Sequence, residues 1–238
     1  MPYPIREQIE NDSDFKISLA KLYWISFIMT LMAGFINSAM LIEFGLPVSQ
    51  MTGVSSHISD ALVDIDWLEL LNSLLILCGF FSGAVISGWL IGHSQYKTTA
   101  NYGYALLLNG ALLVLASIFS FIQSEISILL AAIACGLQNA LIASYRGLQI
   151  RTTHVTGTVT DLGVHLAQKL KHKKAWSWQG NMLIVLLMGF IIGGIIGIFS
   201  YRIFPNWSLI LPASISLVLG SLYLYQFKTH LSKTNHLP

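Results

Sequence analysis

Residues 179–201 read QGNMLIVLLMGFIIGGIIGIFSY, and this run contains no charged side chain. A helix needs about 20 mostly apolar residues to cross the hydrocarbon core of a bilayer, so the run predicts a membrane-spanning helix. Five further stretches have the same character: 19–45, 68–92, 102–122, 126–146 and 207–227. Charged residues make up 10% of the chain, against roughly 25% in soluble domains. We therefore expect an all-α membrane protein with six transmembrane helices and exclude a soluble globular domain.

The distribution of Lys and Arg predicts the orientation, because positive residues concentrate in cytoplasmic loops. With the N-terminus inside, all but one of the 13 Lys and Arg residues fall in inner segments. The inner residues are Arg6, Lys16, Lys21, Lys97, Arg146, Arg151, Lys169, Lys171, Lys173, Lys174, Lys228 and Lys233, and the outer one is Arg202. This asymmetry predicts a multi-pass membrane protein with both termini in the cytoplasm.

Two polar tails flank two predicted three-helix halves. Residues 1–18 lack the short apolar core and the small-residue cleavage site of a signal peptide, so we interpret them as a cytoplasmic N-terminal tail. Repeat 1 covers residues 19–122 and repeat 2 covers residues 123–227. Residues 228–238 form a cytoplasmic C-terminal tail.

Both halves carry three similar sequence elements in the same order. The pairs are GFINSA (34–39) with GLQNA (136–140), QMTG (50–53) with HVTG (154–157), and GFFSG (79–83) with GFIIG (189–193). Three spans per half reverse the second half in the membrane. The pattern therefore predicts two inverted three-helix repeats, a plan found in secondary transporters and in some channels.

The elements GFIN…MTG and GLQNA…RTTHVTGT resemble the YoaK family of small bacterial inner-membrane proteins. The resemblance extends over about residues 19–227, and residues 136–158 are its more specific part. The family has no known function, and its members are often labelled permeases. The resemblance therefore implies a membrane fold and a location in the bacterial inner membrane, but it names no substrate. Family members often carry Asp where Asn37 stands here.

Asn37 and Asn139 occupy equivalent positions inside the first and fourth predicted spans. A primary amide in hydrocarbon needs hydrogen-bond partners. The two asparagines therefore either join helices or form a polar substrate-binding site between the repeats. Gln138 and Ser38 lie beside them in the sequence and belong to the same candidate site.

Two Thr-Gly pairs each follow a long span and open a short segment of moderate polarity. The pairs are Thr52-Gly53 and Thr156-Gly157, and the segments are 53–66 and 157–170. Thr caps helix starts and Gly permits unusual backbone angles, while a helix N-terminus at membrane depth attracts anions and carbonyl groups. We expect short interfacial or re-entrant helices whose Thr-Gly pairs line a substrate cavity. An ordinary capped interfacial helix is the alternative.

Histidine and aspartate side chains near the Thr-Gly pairs are candidates for ion or proton coupling. His57 precedes Asp60 by three residues and Asp161 precedes His165 by four, so each pair shares one face of a helix. Histidine changes its charge near neutral pH, which suits H⁺ coupling, and His154 is a further candidate. A solvated interfacial pair is the alternative. We predict no metal site, because no third ligand stands at a fixed spacing.

Arg146 and Arg151 flank the inner end of the fourth span, where they either set the orientation or contact a gate or a substrate anion.

Other classes of function lack their motifs. The net charge of +2 argues against a nucleic-acid partner. Intramembrane serine proteases need a G-x-S-G motif, but residues 80–83 read FFSG. We expect no enzymatic activity and no cofactor.

We therefore expect a secondary transporter or facilitator of a small molecule that works by alternating access between the repeats, with H⁺ as the ion if transport is coupled. One alternative is a channel with two static half-pores. The other is a membrane scaffold or membrane enzyme that transports nothing. Six helices form only a thin wall around a cavity, which is compatible with a homodimer in the lipid bilayer.

Overall fold

The computed structural model of the chain describes residues 19–91, 99–122, 124–141, 150–172 and 175–234. Regular structure in these ranges is helical throughout, in agreement with the predicted all-α class. The elements are α1 (Leu19–Phe44), α2 (Met51–Asp64), α3 (Trp67–Ile91), α4 (Asn101–Ser120), α5 (Glu125–Leu141), α6 (Val155–His172), α7 (Trp178–Ile203), a 3₁₀ turn (Pro205–Trp207) and α8 (Ile210–Thr234).

Within the described ranges, five helical segments are long and apolar enough to cross a membrane. They comprise α1, α3, α4, α7 and the segment Pro205–Thr229, which includes most of α8. The fourth predicted span, 126–146, corresponds to α5, an apolar helix of 17 residues, and residues 142–149 lie outside the described ranges. Short helices follow the first and fourth predicted spans, as expected: α2 follows α1 and α6 follows α5.

Local sequence explains the sharp turns around α2. Gly45 has a φ of 72° directly after α1, and Ile65 has a φ of 59° directly after α2. A left-handed residue at this position ends a helix, because its neighbours' N–H groups then reach the last carbonyl groups. Asp66 accepts hydrogen bonds from the N–H groups of Leu68 and Glu69 at 3.1 and 3.0 Å. Its carboxylate therefore caps the start of α3.

Glycines bring α7 into direct contact with α1. A Cβ atom on Gly193 would overlap the backbone carbonyl of Leu31, and one on Gly197 would overlap that of Phe35. The residue numbers of the contacting positions rise together along α7 and α1, so the two helices run parallel. Small residues of this kind permit backbones to approach more closely than larger side chains would.

The same arrangement joins α3 to α5. Gly79 lies against the backbone of Leu129 and Gly83 against that of Ile133, so these helices also run parallel. By contrast, α4 runs antiparallel to α8, because its successive glycines meet residues of decreasing number in α8. Helix α4 is also antiparallel to α5, since Ser127 near the start of α5 donates to the carbonyl of Ala116 near the end of α4.

Apolar side chains fill the space between the helices in separate clusters. The largest cluster lies toward the end of the bundle where α1 finishes and includes Phe35, Met40, Val48, Ile76 and Leu113. A second cluster lies where α3 and α5 finish. We call it the Met29 cluster, and its buried members are Met29, Ile91, Ala105, Leu137 and Leu141.

One fully buried asparagine joins three helices. The Nδ2 atom of Asn109 in α4 donates to the carbonyl oxygen of Ala134 in α5 at 2.7 Å. Its Oδ1 atom accepts a hydrogen bond from the hydroxyl of Ser216 in α8 at 2.8 Å. The carboxamide therefore holds α5 and α8 in register on α4.

Replacing Ser216 with Ala tests this junction. We expect the variant to lose about 1 kcal/mol of folding free energy, because the Oδ1 atom of Asn109 loses its buried donor. Thermal unfolding of the detergent-purified protein measures the change. Ser221 is exposed on the same helix, and Ser221→Ala should stay within roughly 0.5 kcal/mol of the parent chain. Equal shifts in both variants would contradict the role given to Asn109.

Candidate functional site

Asn37 holds the segment that leads into α2. Its side chain is 2% exposed, and its Oδ1 atom accepts hydrogen bonds from the backbone N–H of Ser49 at 3.1 Å and from the Ser49 hydroxyl at 2.9 Å. Ser49 is itself buried, and so are Leu46 and Val48 before it. The Asn37 side chain thus provides an acceptor for the buried N–H of Ser49, which is not part of any helix or strand.

Asn139 makes the equivalent contact in the second half of the chain. Its Oδ1 atom accepts a hydrogen bond from the backbone N–H of Thr153 at 3.2 Å. Thr153 follows Asn139 by 14 residues, and Ser49 follows Asn37 by 12. The two asparagines differ in burial, since Asn139 is only half-buried. Each of them anchors the residue that lies two positions before a short helix.

Both short helices begin one residue before the predicted Thr-Gly pair. The first backbone hydrogen bond of α2 runs from Val54 to Gln50, and that of α6 runs from Thr158 to His154. Thr52 and Thr156 are therefore the second residues of their helices. The cap position of α2 is held by Gln50, whose side chain makes no capping hydrogen bond. The initial N–H groups of each helix point away from the helix body without helical partners.

The start of α2 lies level with Asn37 of α1 rather than with the end of that helix. Asn37 stands seven residues before Phe44, the last residue of α1, which corresponds to about 10 Å along the helix axis. Because Ser49 bonds to Asn37, the chain folds back by that depth after α1 and then begins α2. This return leaves the first turn of α2 half-buried, with Val54 buried and Thr52 exposed.

The two glycines of the Thr-Gly pairs have different surroundings. A Cβ atom on Gly157 would overlap the imidazole of His154, so this histidine covers the first turn of α6. Gly53 has only the ring of Pro47 nearby. Thr52 and Thr156 are both exposed. No hydrogen bond joins the two Thr-Gly pairs in the part of the chain that the structure describes.

Gln138 joins α5 to α1 at the point where these helices pass each other. Its Nε2 atom donates to the carbonyl oxygen of Met29 at 2.6 Å. Asn37 stands eight residues further along α1, which is about 12 Å. The structure therefore places Asn37 and the pair Gln138-Asn139 at separate levels of the bundle. Ser38 is half-buried and lies against Gly194 of α7.

The predicted coupling residues lie at the periphery. His57 contacts Glu69 of α3, with 2.6 Å between Nδ1 and Oε1, rather than its predicted partner Asp60. Asp60, His154 and Asp161 are exposed. The turn at Ile65 folds α3 back on α2, and this brings Glu69 to the face of His57.

The predicted gate residues are only partly within the described ranges. Arg151 is exposed directly before the segment that Asn139 anchors, and Arg146 lies outside the described residues. Among the residues that the structure describes, no group of three His, Cys, Asp or Glu side chains is arranged to hold a metal ion.

Several polar residues of the interior escaped the sequence reasoning. Ser49 and Thr153, the partners of the two asparagines, stand just before the Thr-Gly elements, and that shared position was the available signal. Asn109 was a lone amide in an apolar span, which is itself a signal for an interhelical contact. Glu43 is half-buried near the end of α1, where its sequence position places it, but its hydrogen bond from Ser120 of α4 is a pairing that sequence spacing cannot reveal.

These observations define the class of protein: it is a helical protein of the membrane-spanning type. The segments that lead into its short helices α2 and α6 are anchored by the side-chain amides of Asn37 and Asn139. The chain belongs to DUF1275, a family of proteins of unknown function, because the family model matches residues 25–222. The YoaK family is a DUF1275 family, so the predicted resemblance is confirmed. No curated protein and no solved structure matches the chain.

Proposed function

We propose that this chain is an inner-membrane transporter or facilitator of a small molecule, built from two inverted three-helix repeats that alternate in access. The proposal makes α5 the fourth of six spans. Helix directions support it: α3 and α5 run parallel, and α4 runs antiparallel to both α5 and α8. A chain that crosses the membrane six times in alternating directions would have these same helix orientations.

Matched backbone contacts support the repeat. A Cβ atom on Gly34 would overlap the carbonyl of Phe190, and a Cβ atom on Gly136 would overlap the carbonyl of Phe80. The two glycines occupy equivalent positions of the repeat, and so do the two phenylalanines. The first span of each half therefore packs on the second span of the other half. Each packed pair, α1 with α7 and α5 with α3, thus combines one helix from each half. The two pairs can rock against each other about a pseudo-two-fold axis.

The observation that carries the proposal is the pair of asparagine-anchored helix starts. Asn37 anchors the entry to α2 and Asn139 anchors the entry to α6. With inverted repeats, these two entries face opposite sides of the membrane. Helix N-termini below the membrane surface offer unpaired N–H groups and partial positive charge to a polar substrate. A symmetric pair of them is the arrangement that alternating access needs.

Charge distribution supports a cytoplasmic location for both termini and for the end of α6. Lys169 and Lys171 are exposed there, and the Lys169 ammonium lies 5.3 Å from the ring centroid of Trp176. Basic and indole side chains together favour the anionic inner leaflet. We also propose that transport is coupled to H⁺ through His57 or His154, that the chain is not an enzyme and that it forms a homodimer.

Single cysteines at equivalent positions test the mechanism. Ser38 and Ala140 stand directly after the two asparagines, and both are half-buried. We would replace each with Cys in a background carrying Cys78→Ala and Cys135→Ala, then apply an impermeant thiol reagent to either face of oriented vesicles. Alternating access predicts that each position reacts from one side at a time. In a variant that carries both new cysteines, it also predicts that blocking one position reduces labelling at the other.

The competing functions give different labelling. A channel predicts that both positions react from both sides at once, without mutual influence. A scaffold predicts that neither position reacts, while an exposed cysteine introduced at Ser59 of α2 still does. Either pattern would reject alternating access.

A further inference from the structure

Glu43 differs from the other acidic residues that the structure describes. Apart from Glu69, which is half-buried and contacts His57, the others are exposed. Glu43 is half-buried in the last turn of α1, a helix long and apolar enough to cross a membrane. Among the described residues, no Lys, Arg or His side chain forms an ion pair with it. An ionisable residue in such a helix is by default a candidate for proton or ion binding.

Two hydroxyl groups from other helices lie near the Glu43 carboxylate. Ser120, the last residue of α4, donates a hydrogen bond to its Oε1 atom. The phenol of Tyr201 in α7 interacts electrostatically with the same carboxylate, and its ring packs against the apolar cluster that contains Met40. Hydroxyl groups both donate and accept hydrogen bonds, whereas Arg and Lys side chains only donate. These partners therefore suit the ionised and the protonated carboxyl alike, and they do not lock Glu43 in one charge state.

The hydrogen bond from Ser120 joins two helices that pack mainly on other neighbours. Helix α1 packs on α7, whereas α4 packs on α5 and α8. Ser117, three residues before Ser120, donates to the carbonyl oxygen of Asn206 in the 3₁₀ turn after α7 at 2.6 Å. Phe121, directly after α4, packs on Trp207 of the same turn, with 4.9 Å between the ring centroids. The end of α4 is thus fastened both to α1 and to the turn after α7.

Few other charged groups surround Glu43 at this end of the bundle, where α1 finishes. The other charged or titratable residues described there are His57, Asp60, Asp64, Asp66, Glu69, Glu125, Tyr201 and Arg202. His57 and Glu69 contact each other, while the three aspartates, Glu125 and Arg202 are exposed. Only residue 123 at this end lies outside the described ranges, and it is a glutamine. Glu43 is therefore the half-buried carboxyl at this end without a charged partner.

We propose that Glu43 is a proton-binding residue whose charge controls the contact between the ends of α1 and α4. The ionised carboxylate accepts a charge-assisted hydrogen bond from Ser120, which is roughly twice as strong as one between neutral groups. A proton taken up from water neutralises the carboxyl and weakens this bond, so the end of α4 separates more readily from α1. The inference rests on the proposed transport function, because alternating access opens one end at a time, and it names a residue for proton coupling besides the histidines.

Amide hydrogen exchange at the end of α4 tests the proposal, because exchange there reports how readily this end opens. We would compare the parent chain with Glu43→Gln in the same lipid nanodiscs over a range of pH. The ratio of the two rates at each pH cancels the intrinsic pH dependence of exchange. Glu69→Gln, at the other half-buried acid of this end, is the matched control. Infrared difference spectra of the same samples report protonated carboxyl groups directly.

At alkaline pH, we expect residues 113–121 to exchange about five- to tenfold faster in Glu43→Gln than in the parent, the difference between a charged and a neutral hydrogen bond. The ratio should fall toward one as the pH is lowered and the parent carboxyl takes up its proton. A protonated-carboxyl band should appear in the parent over the same pH range and be absent from Glu43→Gln. Glu69→Gln should exchange like the parent at the end of α4.

Ser120→Ala provides a second test that keeps the acid. It should show the same pH-dependent ratio of exchange rates, because the donor to the carboxylate is gone, while the infrared band of Glu43 persists. This variant decides the proposal by itself if Glu43→Gln does not fold.

Other outcomes overturn the inference, and they separate it from the proposed function. A ratio that stays constant over the whole pH range means that Glu43 keeps one charge state. A ratio of one at alkaline pH means that the carboxylate does not hold α4, and either result rejects the proposal. Labelling at Ser38→Cys and Ala140→Cys still decides alternating access independently. Proton-dependent exchange combined with the labelling pattern of a channel or a scaffold would retain the proton site and reject the proposed transport mechanism.

Discussion

Replacing Gly83 with Ala is expected to destabilise the protein by about 3 kcal/mol, the upper end of the usual cost of overpacking. A Cβ atom at this position would overlap the carbonyl oxygen of Ile133 and approach the backbone nitrogen of Leu137. Both obstacles are backbone atoms of α5, so no side chain can turn aside. The two helices must separate, and every contact along α3 and α5 weakens with them. Thermal or denaturant unfolding in detergent measures the loss, which corresponds to about a 150-fold change in the folding equilibrium.

Gly88 of the same helix supplies the control. It is exposed and has open space where a Cβ would stand. Gly88→Ala should therefore leave the fold intact and stabilise α3 by roughly 0.5–1 kcal/mol, because Ala is the better helix former. Gly193→Ala, the equivalent change in the second half, should resemble Gly83→Ala, since its Cβ would overlap the carbonyl of Leu31. If Gly83→Ala behaved like Gly88→Ala, the close packing of α3 on α5 would be wrong.

The helical class and most helix bounds were accessible from sequence, because an apolar run of sufficient length has one stable form in lipid. The equivalence of Gly34 with Gly136 was also visible, since repeats are compared along the chain. The packing partners Phe190 and Phe80 were not. Nothing in the matched sequence elements says that α1 packs on α7 or that α5 packs on α3.

The candidate site was harder to predict than the fold. Asn37 and Asn139 were recognised as polar groups in apolar spans, but their partners depend on how far the following loops fold back. His57 was matched to Asp60 by helical spacing, yet the turn at Ile65 brings Glu69 to it. The contact between Gln138 and Met29 joins residues 109 positions apart. Spacing rules act within one helix, whereas these contacts arise between helices.

Replacing Asn37 with Leu is expected to cost about 2–3 kcal/mol, because the buried N–H and hydroxyl of Ser49 both lose their acceptor. Leu fills a similar volume, so the loss reports the hydrogen bonds rather than a cavity. The equivalent change Asn139→Leu should cost about 1 kcal/mol, since it removes one bond at a half-buried site. Unfolding midpoints of the two variants compare these costs directly.

Hydrogen exchange then distinguishes two separate anchors from one shared polar site. Asn37→Leu should accelerate amide exchange across residues 46–54, where Ser49 loses its partner, and should leave residues 150–158 at the parent rate. Asn139→Leu should do the reverse, because the two asparagines lie at different levels of the bundle and each bonds to its own loop. Acceleration of both segments by either variant would mean that the asparagines act as one unit. That result would contradict two separate anchors, and under the proposed transport function the two helix starts would then move together rather than in turn.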